Sequence, residues 1–197
     1  AARAAREIGR PLADLNLVVA HLGGGITVAA VKRGRMTDNN IALLGGGPFT
    51  PQRAGALPTG ALIDLCYSGR FARDELIEEL TRRGGLQSYL GEYRMETIER
   101  RIADGDEHAR LVVDAMAYQI AKEIGAMYVA TGCDIEAIVL TGGLVHGATI
   151  RNAVRKRIGM LAPVIVYPGS LEMAALAAGA IAVLSGRENA QVYRPLS

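Results

Sequence analysis

An α/β domain with a five-stranded mixed sheet flanked by helices is the fold that this 197-residue sequence predicts. Two observations carry that expectation. The first third holds three short apolar runs separated by glycine-bearing turns, which read as an antiparallel meander. The last third alternates strand, helix, strand, helix, which reads as parallel pairing through right-handed crossovers. Between the two stand a long glycine- and proline-rich loop and several inserted helices.

Each element follows from local signals. Residues 2–8 are a helix end, stopped by Gly9 and Pro11. Residues 16–21 form a buried strand, 26–32 a second, and 35–38 a short third, after the turn Arg33-Gly34. Residues 44–60, LGGGPFTPQRAGALPTG, show no periodicity. Structureless loops of that length inside a compact domain commonly carry function. Helices are expected over 59–67, with Thr59 as N-cap, over 73–81 and over 95–103. A long helix over 108–130 places Val112, Val113, Met116, Ile120, Ile124 and Met127 at helical spacing. A strand over 135–140 leads into the turn TGGLVHG. A helix over 150–158 follows, with a basic outer face of Arg151, Arg155 and Lys156. A strand over 164–167, the turn Pro168-Gly169 and an alanine-rich helix over 171–184 complete the order, which is that of a ribonuclease-H-like domain.

Half of the residues are hydrophobic, enough for a sizeable core, and the net charge is only +2. No dense Lys/Arg run with interleaved aromatics points to nucleic acid. No apolar stretch reaches transmembrane length, and none resembles a signal peptide. Cys66 and Cys133 stand in no metal-binding or redox spacing, which predicts two buried free thiols in a reducing cytoplasm. The chain opens AARAAREIGRPL, in a helix-like run without an initiator Met, and reads as a fragment, a processed chain or the second half of a longer chain.

The 24 glycines exceed the usual share and fall in clusters. Gly23, Gly24 and Gly25 form a strand-to-strand turn next to His21, and bare backbone can aim several N–H groups at one anion. A tight turn without a ligand is the other reading. Thr141, Gly142 and Gly143 follow a buried strand and precede a helix, the place where open α/β sheets bind ligands; a connection that simply needs glycine is equally open. There is no GxxxxGK(S/T) and no strand–GxGxxG–helix. Two glycine turns at one sheet edge tell more than either, the first suited to phosphates and the second to a nucleoside.

Other residues add candidates. Arg53, on the constrained loop, suits a phosphoryl group or carboxylate, or else pairs with a nearby acid. Asp38 could orient a metal-bound water or start a turn. Glu172 could reach magnesium through water, or serve as a first-turn acid. His21 is a candidate catalytic group or a capping histidine. His146 borders the second turn, and His108 reads as helix surface.

The stretches NLVVAHLGGGITVAAVKRGRMTD, GPFTPQRAGALPTG, GDEHARLVVDAMAYQIAKEIGAM, AIVLTGGLVHG and LAPVIVYPGSLEMAALAAGA resemble, in order, the C-terminal half of the butyrate kinases. These belong to the acetate kinase branch of the superfamily of acetate and sugar kinases, heat-shock chaperones and actin. The resemblance implies an actin-like ATPase fold and reversible, ATP- and magnesium-dependent phosphorylation of butanoate, or a related short-chain or branched carboxylate, to the acyl phosphate. It implies that His21 with Gly23 to Gly25 is a phosphate-binding segment and that Thr141 to Gly143 is an adenosine segment. Arg53 then contacts the phosphoryl group and the substrate, and Glu172 helps hold magnesium. The acetate kinase pattern has Asn where this chain has Gly24, a departure that leans toward the butyrate kinase branch. The resemblance further implies that residues 1–197 are the C-terminal nucleotide-binding domain of a two-domain kinase whose N-terminal domain is absent from this chain. It implies a cytoplasmic homo-oligomer, inactive as the isolated fragment, that binds neither nucleic acid nor membrane. A non-catalytic nucleotide-binding or dimerisation module of the same fold is the other class the residues leave open.

Overall fold

The sheet contains β1 (Leu17–Leu22), β2 (Ile26–Lys32), β3 (Arg35–Asn39), β4 (Ala137–Gly142) and β5 (Val164–Pro168), in the spatial order β3-β2-β1-β4-β5. The structure is a computed structural model and describes residues 1–169, 172–190 and Val192. β2 pairs antiparallel with both β1 and β3, while β1, β4 and β5 run parallel. The expected five-stranded mixed sheet is therefore observed. Strands covered on both faces read as continuous apolar runs rather than alternations, as AIVLTG and LVVAHL do.

The helices are α1 (Ala2–Ile8), α2 (Thr59–Cys66), α3 (Arg73–Arg82), α4 (Gly85–Leu90), α5 (Met95–Ala103), α6 (Glu107–Ala130), α7 (Ala148–Ile158) and α8 (Glu172–Leu184). One face of the sheet (Val18, Ala20, Leu22, Val28, Ile138 and Leu140) packs on α6 and α7. There it meets Met116, Ile120 and Ile124 of α6 and Ile150 and Val154 of α7. Fully burying each such side chain contributes roughly 1.5–3 kcal/mol, which makes this layer the main source of stability. The other face holds a smaller cluster of Leu17, Val31, Ala137, Val139 and Tyr167 beneath Ala4 and Ala5 of α1.

Several boundaries differ from expectation for local reasons. The N-cap position of α2 is Pro58, whose extended ψ of 121° ends the loop, and Thr59 is already helical. α6 starts one residue early because the Asp106 carboxylate accepts a hydrogen bond from the Ala109 N–H at 2.9 Å. The six-residue α4 was not anticipated, being too short to show a period. Both cysteines are exposed rather than buried. Cys66 ends α2, which buries no residue, and Cys133 occupies the tight turn after α6 at φ 60°. Leu171, the expected start of the last helix, lies outside the described residues. No residue of α8 is buried. Among the described residues no helix is long and apolar enough to cross a membrane.

The end of β4 depends on Gly142. It adopts φ 101° and ψ 175°, a region essentially confined to glycine, and a Cβ there would overlap the carbonyl of Leu22. Gly143 has nothing within 4 Å of its would-be Cβ. Gly142→Ala should therefore lower the unfolding free energy by about 1–3 kcal/mol, whereas Gly143→Ala should change it by less than about 1 kcal/mol. Urea unfolding of the two variants checks this, and equal midpoints would contradict it.

Candidate functional site

Because β1 and β4 are parallel neighbours, the turn Gly23–Gly25 and the turn Gly142-Gly143 emerge at the same end of the sheet. That end is the carboxyl edge of both strands, where α/β sheets accept ligands. In register, His21 pairs with Thr141 and Thr141 with Tyr167, so the three residues form a row across β1, β4 and β5. The row borders a cavity of about 820 Å³ to which Arg3, Arg6 and Glu172 also contribute. At its far wall, Tyr167 donates to Glu7 at 2.6 Å; burial first, and then this bond, push its hydroxyl up to about 12.

The first turn is bare for steric reasons at two of its three positions. A Cβ on Gly23 would stand 3.0 Å from the His21 Nε2, and one on Gly25 would stand 2.5 Å from the Arg53 Nη1. At Gly24 nothing lies within 4 Å. Two of the three missing side chains thus make room for His21 and Arg53, and only Gly24 faces open space. The Gly23 N–H closes the turn on the Gly25 carbonyl at 3.1 Å, while the N–H groups of Gly24 and Gly25 have no protein acceptor among the described residues. Two free donors beside a guanidinium form a concavity suited to an anion.

Arg53 is half-buried, and its Nη1 donates to the Ala42 carbonyl at 2.9 Å. Among the described residues it forms no ion pair, so the alternative of an acid-paired surface arginine is not what the structure displays. The loop that carries it is fastened by residues the sequence did not single out. Asn40 is buried and extends the pairing of β2: its Oδ1 accepts from the Val28 N–H at 2.6 Å and its Nδ2 donates to the Ile26 carbonyl at 3.0 Å. Thr50 donates to the Gly24 carbonyl at 2.9 Å. The Phe49 N–H donates to Gln119 of α6 at 3.0 Å. Beneath the loop, a Cβ on Gly85 (φ 61°) would overlap the Thr50 carbonyl, which accepts from the Leu86 N–H at 3.1 Å. The Gly84-Gly85 pair was the one sequence signal for this close approach.

At the second turn, Gly142 and Gly169 exchange both N–H···O bonds at 3.1 Å. The His146 ring closes the side, its Nε2 3.1 Å from where a Cβ on Gly169 would lie. Gly143 opens onto free space. His108 is exposed and stands apart, 3.3 Å from the Tyr89 carbonyl.

The two acids considered for a metal do not share a site. Glu172 lines the cavity together with His21 and Thr141. Asp38 pairs with Ala30, whose side chain lies in the core beneath α6, so Asp38 is on the opposite face. Consistent with that placement, burial and then the Asp38 charge raise the Glu123 carboxyl on α6. Among the described residues no three His, Cys, Asp or Glu side chains cluster as metal ligands. One carboxylate with phosphate oxygens and water is nevertheless how magnesium is commonly held, so Glu172 fits and Asp38 does not. Asp38→Asn should lower the Glu123 pKa, because it removes a neighbouring negative charge, and should leave the resonances of Gly23 to Gly25 in place. A carboxyl-carbon NMR titration tests this; an unchanged Glu123 with a shifted glycine turn would put Asp38 back at the site.

The acetokinase family matches residues 1–185. The probable butyrate kinase of Bacteroides thetaiotaomicron is 44% identical over 194 residues, covering 98% of this chain and 55% of that protein. Among solved structures, the acetate kinase of Porphyromonas gingivalis superposes with a TM-score of 0.83 at 23% identity, over 93% of this chain and 52% of that one. A propionate kinase of Francisella tularensis superposes with a TM-score of 0.77 at 21% identity, over 87% of this chain and 50% of its own. The chain spans about half the length of these relatives.

Proposed function

We propose, from the premise that this chain belongs to the acetokinase family, that it is the C-terminal, nucleotide-binding half of a two-domain carboxylate kinase. Its substrate would be butanoate or a related short-chain or branched carboxylate, and its product the acyl phosphate. The observation that carries the reading is the Arg53 guanidinium laid against Gly25, at the same sheet end as the open Gly143 turn. The 44% identity to a probable butyrate kinase supports the choice of acid.

In this reading a carboxylate oxygen attacks the terminal phosphorus of ATP, the bond to the bridging oxygen breaks, and ADP leaves. The Gly24 and Gly25 N–H groups hold phosphate oxygens. Thr141, Gly142 and Gly143, with His146 beside them, receive the nucleoside. Arg53 opposes the charge that spreads over the moving phosphoryl group, and His21 stands next to it as a donor. Magnesium, held by Glu172 through water, would supply further neutralisation of the phosphate oxygens. Positioning is most of the work in such reactions, so transfer requires the facing half of the cleft as well. A non-catalytic nucleotide-binding module is the second reading; it retains the glycine turns but gives Arg53 no role in turnover.

Two expected outcomes follow. In the full-length protein Arg53→Ala should lower turnover on the order of a hundredfold, and Arg53→Lys should recover little, because a point charge cannot replace the planar fork. Nucleotide affinity should change far less. Steady-state kinetics with a thermal melt as folding control decides, and near wild-type turnover in folded Arg53→Ala would remove Arg53 from the chemistry. Separately, the exposed apolar residues of α8 (Met173, Leu176, Leu184) and, on the other side of the sheet, of the outer face of α6 (Leu111, Tyr118, Val129) are surfaces that contact between copies would bury. Light scattering should report a homodimer or larger, and a monomeric mass at high concentration would count against it.

A further inference from the structure

Of the buried polar side chains, Thr50 is 1% exposed and lies between the two parts of the site. Its Oγ1 donates to the Gly24 carbonyl at 2.9 Å and accepts from the N–H groups of Arg53 at 3.0 Å and Gln52 at 3.3 Å. A threonine hydroxyl has one donor and two acceptor sites, so all three are used. The same residue's N–H donates to the Arg53 carbonyl at 3.0 Å. Thr50 thus grips the Arg53 backbone from both sides and ties it to the middle peptide of the glycine turn.

The direction of that tie matters. In a trans peptide the C=O and N–H point opposite ways. With the Gly24 carbonyl facing the loop, the Gly25 N–H of the same peptide faces away from it. One hydroxyl fastens the loop that carries the guanidinium to a peptide whose own N–H has no protein acceptor among the described residues.

We infer that Thr50 is a positioning residue: its hydroxyl locks the glycine turn and the Arg53 loop into one rigid unit, so that the N–H donors and the guanidinium meet the same phosphoryl group. What that unit does rests on the carboxylate-kinase reading; the coupling itself does not. The hairpin holds the turn without help through β1 and β2, so the part that loosens without the hydroxyl is the loop.

Thr50→Val keeps the shape and β-branching and removes the hydroxyl, whereas Thr50→Ser keeps the hydroxyl. Amide hydrogen exchange on this chain reads the coupling. In Thr50→Val the Arg53 amide should exchange at least about tenfold faster. The Ala54 amide, bonded to the Leu80 carbonyl at 2.9 Å, should barely change. In the full-length protein, turnover of Thr50→Val should fall about tenfold or more with the nucleotide KM nearly unchanged, because a misplaced guanidinium affects the moving group most. Thr50→Ser should restore both readouts. If Thr50→Val does not fold, Thr50→Ala takes its place in the same measurements. Wild-type-like exchange and turnover without the hydroxyl, equal damage in the Ser variant, or faster exchange with unchanged turnover would each overturn the inference. Absence of transfer in the wild-type full-length protein would sink the kinase reading, while the exchange comparison would still decide the coupling.

Discussion

Arg53 can lie on the β1–β2 turn only because position 25 carries no Cβ, and the rest of the site is built around that contact. The guanidinium reaches the turn because its loop is fastened at three points: Asn40 on β2, Thr50 on Gly24 and Phe49 on Gln119 of α6. The turn is in the right place because β1 is antiparallel to β2 and parallel to β4, which brings the first glycine turn level with the second. Gly142 then passes so near the Leu22 carbonyl that only glycine fits. Each of these is a steric or hydrogen-bonding requirement, and together they bring bare backbone and one cation to the same end of the sheet.

The loop's order comes only in part from burial of its apolar residues, of which Phe49 joins the main core. Ile41, Leu43, Leu44 and Leu57 are exposed, while Asn40 and Thr50 are buried with their polar atoms bonded. A single such bond contributes only about 0.5–1.5 kcal/mol net, but leaving a buried group unpaired costs about 1–3 kcal/mol. Polar latches of this kind specify one loop geometry without adding much stability, which suits a segment whose task is to hold a side chain in place.

Much of the fold was legible in the sequence, and less of the site. The succession of strands and their mixed pairing could be read because β-branched runs, glycine turns and the alternation at the C-terminal end are local signals. The two glycine turns could be read for the same reason. What could not be read was who fills the space that the glycines vacate. That His21 lies over Gly23 and Arg53 over Gly25 depends on tertiary closure of a loop with no period. Asn40 and Thr50 are ordinary polar residues in sequence, and only their burial reveals them. In sequence Asp38 reads as an acid at the end of a strand, but a strand sends its residues to alternate faces, and this one falls on the α6 face rather than on that of His21 and Thr141. The thiols were expected inside because free cysteine is usually buried, but one ends a helix that buries nothing and the other sits in a left-handed turn.

The central claim is that both glycine turns, with Arg53 between the loop and the sheet, make one nucleotide site. Titrating this chain with magnesium–ADP while following backbone amide resonances tests it most directly. The account predicts that Gly24, Gly25 and Gly143 shift together along one binding curve while the edge strand β3, including Asp38, stays still. Saturable ADP binding that leaves all three glycines unmoved, or shifts confined to one of the two turns, would contradict it.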